Sequence, residues 1–275
     1  MYANDQQQDV WVWDISRATL TRATFDAGQD TYPVWTHDSR RLVVSSARTG
    51  VLQGTRNLFS QAADGTGAAE RLSESSNLQD ATALSPDGHR LVFNEVGPTG
   101  AGDDIMQLEL DGSHRVTPLV QSPFNERNGV ISPDGRWLAY EANSSGQVEV
   151  FVQPFPDVNS GRWQVSTNGG TRPLWAPKGQ ELFYVAPAGA VMRVGVQRGP
   201  SWAATAPTTL VKEGYYTIPT TTSPGRTYDV SPDGQRFLMI KEAGGSDQTA
   251  SPPQLVVVQH FDEMLKRLVP TKQAR

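Results

Sequence analysis

Ile131-Ser-Pro-Asp-Gly-Arg-Trp-Leu-Ala-Tyr140 reads as a tight turn followed by a short apolar strand. Pro133 fixes φ at the second turn position, Asp134 can accept backbone hydrogen bonds of the turn itself, and Gly135 supplies a positive φ. The phrase recurs as Trp35-Thr-His-Asp-Ser-Arg-Arg-Leu-Val-Val44, Leu84-Ser-Pro-Asp-Gly-His-Arg-Leu-Val-Phe93, Trp175-Ala-Pro-Lys-Gly-Gln-Glu-Leu-Phe-Tyr184 and Val230-Ser-Pro-Asp-Gly-Gln-Arg-Phe-Leu-Met239. Its second residue falls at Thr36, Ser85, Ser132, Ala176 and Ser231, giving intervals of 49, 47, 44 and 55 residues. The copy at Thr36 has Ser39 in place of glycine and no proline, so a looser turn is expected there.

Each turn is followed by an apolar strand, a polar turn and a weaker strand. Asp104–Leu110 leads through Asp111-Gly112 to His114–Thr117, and Val148–Val152 leads to Arg162–Val165. Asn57–Gln61 with Glu70–Leu72, and Val191–Val196 with Thr209–Val211, complete the pattern. Each repeat is therefore a four-stranded antiparallel meander. Such meanders in series predict a β-propeller, in which each sheet packs face to face on its neighbours. The Gly-His…Trp-Asp signature of the rival WD-type repeat is absent.

Asp9–Ile15 and Thr19–Thr24 match the third and fourth strands of a blade, and Leu255–Gln259 matches a third strand. The expected fold is a six-bladed all-β propeller over residues 1–260, its first blade lacking the two inner strands. Residues 261–275 are expected to form a C-terminal amphipathic helix, Phe261–Leu268, and a tail. The unpaired strand at Val10–Asp14 predicts self-association along that edge, or a terminal strand that shifts to cover it. Met1-Tyr-Ala-Asn-Asp-Gln-Gln-Gln8 reads as an arbitrary start, so the chain is expected to be a fragment of a longer protein.

The composition narrows the function classes. Apolar residues are 37% of the 275, charged residues 19%, the net charge is −5 and there is no cysteine. Disulfides, thiolate metal sites and cysteine nucleophiles are excluded. No apolar run approaches the roughly 18 residues of a spanning helix. Clustered positive charge is missing, which argues against nucleic acid as a partner.

The Ser-Pro-Asp-Gly hairpins, the opening Asp9-Val-Trp-Val-Trp-Asp14 and the Asp104-to-Gly112 strand and turn resemble the TolB-type propeller repeat. Pro123-Phe-Asn-Glu-Arg-Asn128, Val152-Gln-Pro-Phe-Pro156, Gly161-Arg-Trp-Gln-Val-Ser166 and Phe261–Leu268 resemble a propeller region found in bacterial proteins, often behind a serine/threonine kinase domain and one membrane helix. The resemblance implies a kinase-associated sensor, an upstream hairpin completing the first blade, and a periplasmic or extracytoplasmic location if such a helix precedes it. The kinase motifs themselves do not occur in the chain.

Chemistry is sparse. The chain has no Gly-x-Ser-x-Gly elbow, no His-Glu-x-x-His and no phosphate loop. His37, His89, His114 and His260 are scattered and read as solvated turn or strand-end residues, so neither metal nor cofactor is expected. The turn aspartates Asp38, Asp87, Asp134 and Asp233 are explained by local hydrogen bonds. Trp11, Trp13, Trp35, Trp137, Trp163 and Trp175 are assigned to packing between blades. The candidate site comes from register instead. The residues leading into each inner strand surround one mouth of the channel, and aligning the turns brings Arg127, Arg172 and Arg226 together with Tyr32, Tyr228, Asp30, Asp80 and Glu126. Guanidinium groups so placed suit a carboxylate or phosphate; the alternative is an Arg–acid network that satisfies itself. The expected function is a non-catalytic module binding a protein or small anionic ligand. A hydrolase, lactonase or lyase working at the same mouth is the alternative.

Overall fold

The computed structural model describes residues 8–48, 50–97, 102–197, 199–217 and 225–241, with the backbone of 254–258. The described residues form six sheets in chain order. The first holds β1 (Trp11–Asp14) and β2 (Thr19–Arg22); the second β3 (Asp30–Trp35), β4 (Arg41–Ser46), β5 (Asn57–Ala62) and β6 (Glu70–Arg71). The third holds β7 (Leu78–Leu84), β8 (Arg90–Val96), β9 (Asp103–Glu109) and β10 (Val116–Val120); the fourth β11 (Glu126–Ile131), β12 (Trp137–Ala142), β13 (Glu149–Pro154) and β14 (Trp163–Gln164). The fifth is β15 (Thr171–Trp175), β16 (Glu181–Val185), β17 (Val191–Gly195) and β18 (Thr208–Val211); the last is β19 (Tyr228–Val230), β20 (Phe237–Lys241) and β21 (Gln254–Val258). All pairings between these strands are antiparallel meanders, as the repeat predicts. The Phe261–Leu268 segment and His260 lie outside the described residues.

The turn phrase folds the same way in each copy. In the third sheet the Ser85 N–H donates to Arg90 O at 2.8 Å, the Gly88 N–H to Ser85 O at 2.8 Å, and the Ser85 hydroxyl to Asp87. Gly88, Gly135 and Gly234 have φ of 74°, 71° and 74°. The turn at Thr36 is not looser: Ser39 itself takes φ 57°, and its N–H donates to Thr36 O at 2.9 Å. The Thr36 hydroxyl, bonded to Asp38 at 2.6 Å, holds the turn that proline and glycine hold elsewhere.

Successive turns touch. A Cβ built on Gly179 would lie 3.5 Å from Pro133 of the preceding turn, and one on Gly234 3.8 Å from Pro177. Where the proline is missing, His37 takes over: its Nε2 lies 2.8 Å from Ser85 O in the next turn, so His37 is a bridge rather than a free solvated ring.

Cores lie between consecutive sheets, and strand alternation supplies both sides of each. Within β4, Leu42 and Val44 face back to Val10, while Val43 faces forward to Leu91 and Phe93. The same alternation sends Val92 and Ile105 against Leu138 and Tyr140, then Ala139 and Val152 against Leu182 and Tyr184, then Phe183 and Val185 against Phe237 and Met239. Burial on both faces is why the second strands read as unbroken apolar runs. Trp137 meets Trp163 and Trp202 edge to face at 5.7 and 5.4 Å. Trp13 and Trp35 depart from the packing expectation, being 42% and 40% exposed.

Candidate functional site

The inner strands carry a shared irregularity. Register slips between Thr31 and Val34, Ala81 and Ala83, Arg127 and Val130, and Thr171 and Leu174. Such a bulge leaves a backbone group without its ladder partner. Tyr32, Asn128 and Arg172 adopt left-handed φ of 47°, 54° and 55° at the equivalent place in three of these strands. In three of the four strands the freed N–H is capped from the sheet before. Ala81 N–H donates to Ser45 Oγ at 2.9 Å, Asn128 N–H to Asn94 Oδ1 at 3.0 Å, and Arg172 N–H to Glu141 Oε2 at 2.6 Å. Ser45, Asn94 and Glu141 hold one position, the polar residue that ends the apolar run of the second strand.

Charge is arranged across the same boundaries. Arg56, just before β5, pairs with Asp80 at 2.8 Å; Asp103, opening β9, pairs with Arg127. The two boundaries carry the same ion pair with its charges exchanged. Asp30 pairs with Arg48 at 3.0 Å. Burial pushes the Asp80 carboxyl up, with Arg56 opposing, and pushes Glu141 up as well, opposed by the Arg172 N–H. Burial lowers the Arg172 guanidinium and raises the Tyr32 and Tyr228 hydroxyls.

Gly225 draws several sheets together. Arg172 Nε donates to Gly225 O at 3.0 Å, Gly225 N–H donates to Asn128 Oδ1 at 2.8 Å, and Tyr228 OH donates to Arg172 O at 2.8 Å. A Cβ on Gly225 would press on the Tyr32 ring at 3.0 Å, and the Arg56 guanidinium lies 5.6 Å from that ring's centre. Of the candidate residues, Tyr32, Asp80, Arg127, Arg172 and Tyr228 thus belong to one connected cluster, with half-buried Arg226 beside Tyr228. Asp30 and Glu126 do not join it. Asp30 is tied to Arg48, and Glu126 takes the Ser122 hydroxyl with Asp104 and Arg162 as its charged neighbours. The acids do not neutralise the three arginines as a closed set; Arg48, Arg56 and Asp103 are the partners that sequence reading missed. The polar residue closing each apolar run was the available signal for the caps.

Among the described residues no three His, Asp or Glu side chains gather at metal-binding distance, and no helix is long and apolar enough to cross a membrane. A separate cleft of about 860 Å³ lies between the first two sheets, lined by Asp14, Arg17, Asp38, Arg40 and Asp64 among others. Its aspartates are spent on their own turns, through Ser16, Thr36 and Thr66.

Neither a protein-family model nor a curated protein sequence matches the chain. Solved structures do. TolB from Acinetobacter baumannii matches at 19% identity and TM-score 0.56, over 73% of this chain and 48% of that one. Hydrazine synthase from Kuenenia stuttgartiensis matches at 12% and 0.67, over 92% and 40%. A gluconolactonase from Xanthomonas campestris matches at 15% and 0.53, over 84% and 73%. The chain thus spans about half the length of this TolB and less of the hydrazine synthase. Proteins of different activities share this architecture, so the likeness speaks for the fold alone: an all-β, TolB-like β-propeller.

Proposed function

We propose that the chain is a non-catalytic binding module, a sensor or scaffold that offers the mouth built around Gly225 to a protein or a small anionic ligand. The observation that supports this reading is the way the mouth is held. Asp80, Arg127, Arg172 and Tyr228 are each fixed by a partner on another sheet, leaving half-buried Arg226 and Tyr32 on a rigid frame. Arg226 can meet a carboxylate bidentately without the frame around it having to rearrange. A hydrolase, lactonase or lyase at this place would need a carboxylate able to exchange a proton with substrate. Asp80 is pinned to Arg56 through Oδ1 with its Oδ2 buried, and Glu141 is buried against a backbone N–H, so both carboxyls are withdrawn from solvent, which favours binding over catalysis. The resemblance to kinase-associated propellers makes a signalling attachment the specific form of this reading.

Calorimetric titration with citrate and with a short peptide bearing a free C-terminal carboxylate tests it. Saturable binding that weakens at least tenfold in Arg226→Ala supports the proposal. No binding of either probe, or binding indifferent to Arg226→Ala, rejects the anionic site.

A further inference from the structure

We propose that Asn168 modifies itself: the Gly169 backbone nitrogen displaces the Asn168 side-chain nitrogen as ammonia, the buried Glu149 carboxylate acts as the base, and the residue ends as aspartate or isoaspartate. Three observations meet in the segment that carries the chain from β14 to β15. Asn168 is exposed, and its side chain makes no hydrogen bond among the described residues, so its carboxamide can turn toward the main chain. The next residue is a glycine, whose missing side chain leaves its nitrogen open to that approach. Finally, the Gly169 N–H donates to Glu149 Oε1 at 2.9 Å. Glu149 is 1% exposed and also accepts from the Ser166 hydroxyl and, at 2.6 Å, from the Gln147 amide; three donors fit an ionised acceptor.

The step balances within the chain and water. Glu149 Oε1 takes the proton of the Gly169 N–H as the nitrogen attacks Asn168 Cγ. The Cγ–Nδ2 bond then breaks, the proton passes to the departing nitrogen, and ammonia leaves a cyclic succinimide behind. Water opens that ring at either carbonyl, giving aspartate or, through Cβ, isoaspartate; nothing is oxidised or reduced. The fold keeps the reactive pair in place. Gly169 has φ 86°, and a Cβ there would lie 2.5 Å from Pro187 Cγ, so the position admits no bulkier, slower-reacting neighbour for Asn168. The chain's other Asn-Gly pair, Asn128-Gly129, stands in contrast: Asn128 is 2% exposed and its Oδ1 accepts the Gly225 N–H at 2.8 Å. Isoaspartate at 168 would lengthen the main chain between two anchors at the start of β13, the Val150 N–H donating to Ser166 Oγ at 2.8 Å and the Gly170 N–H to Val148 O at 3.0 Å.

The test incubates the full chain at pH 6.5, 7.5 and 8.5 beside a peptide of residues 163–173, which has the Asn-Gly pair but not Glu149. Both are mapped by mass spectrometry, where loss of the amide adds about 1 Da, and isoaspartate is labelled enzymatically. In the peptide, where hydroxide must remove the proton, the rate should rise about tenfold per pH unit. In the folded chain Asn168 should react faster than the peptide at pH 6.5, change less than threefold over the whole range, and outpace Asn128 at least tenfold. Glu149→Gln should slow Asn168 at least tenfold at pH 6.5 and restore the steep profile. The proposal is overturned if Asn168 in the folded chain keeps its amide or reacts more slowly than the peptide at pH 6.5, or if its rate climbs with pH as the peptide's does. It is overturned too if Asn128 reacts as fast, or if a folded Glu149→Gln variant reacts like the parent. The pH profile of the unaltered chain decides the matter even where that variant does not fold.

Discussion

Glu141 accepts the Arg172 backbone N–H at 2.6 Å, from β12 of one sheet to the bulge of the next. This bond joins a side chain of one sheet to the backbone of the next, and its like repeats at the boundaries served by Ser45 and Asn94. Losing the acceptor strands a buried N–H. Ser45→Ala and Asn94→Leu should each cost about 1–3 kcal/mol, and Glu141→Gln, which keeps an acceptor, less than Glu141→Ala. Urea unfolding of the four variants checks the order.

Ionisation should act in opposite directions at two sets of carboxyls. Burial raises Glu141, so the folded state keeps its proton where the unfolded chain has released it; stability from this group is present in acid and falls as pH rises above 4.5. The Ser85 hydroxyl and the His89 N–H lower Asp87, so its contribution is present above 3.8 and fades as pH falls below. Tm measured from pH 3 to 8 should show Glu141→Gln gaining on the parent toward neutral pH, and Asp87→Asn falling behind it over the same range.

The exchanged ion pairs invite a swap. Asp103→Arg or Arg127→Asp alone should cost about 2–3 kcal/mol, since each leaves a like-charged pair mostly shielded from water. The double variant should recover most of that, because it reproduces the polarity of Arg56 with Asp80 one boundary earlier. A double-mutant cycle by chemical denaturation reads the coupling directly; additive losses would contradict the equivalence of the two sites.

Turn glycines give the simplest test of the repeat. Gly88→Val, Gly135→Val and Gly234→Val, at φ of 74°, 71° and 74°, should each lower stability by about 1–3 kcal/mol. Unchanged melting in all three would refute the role assigned to these positions.

The repeat was legible because turns conserve residue type from copy to copy within the chain: Ser-Pro-Asp-Gly is visible by eye, and third strands such as Val148–Val152 fall within a residue or two of β13. The mouth was half legible. Register placed Arg127, Arg172, Tyr32 and Tyr228 near one another, but it could not supply their partners. Equivalent positions there repeat a geometric task, not a side chain: Ser45, Asn94 and Glu141 all cap, and Arg56 and Asp103 both pair with opposite signs. Asp30 and Glu126 misled for the same reason, each captured by a local partner that spacing along the chain does not reveal. Trp13 and Trp35 were assigned to packing on residue type; Trp13 lies on the face of the first sheet turned from the second, and Trp35, opposite Leu42, lies on the face that only the two-stranded first sheet meets among the described residues.

Gly225 bonds to Asn128, 97 residues earlier, and to Arg172, 53 residues earlier. On a ribosome, sheets two to five can stack as they emerge, each upon its predecessor. The Asn128 amide oxygen and the Arg172 Nε nonetheless wait for a glycine that has not yet been made. Until it arrives, these two bonds stay unmade, and the growing body is an unfinished hub rather than a finished stack of sheets.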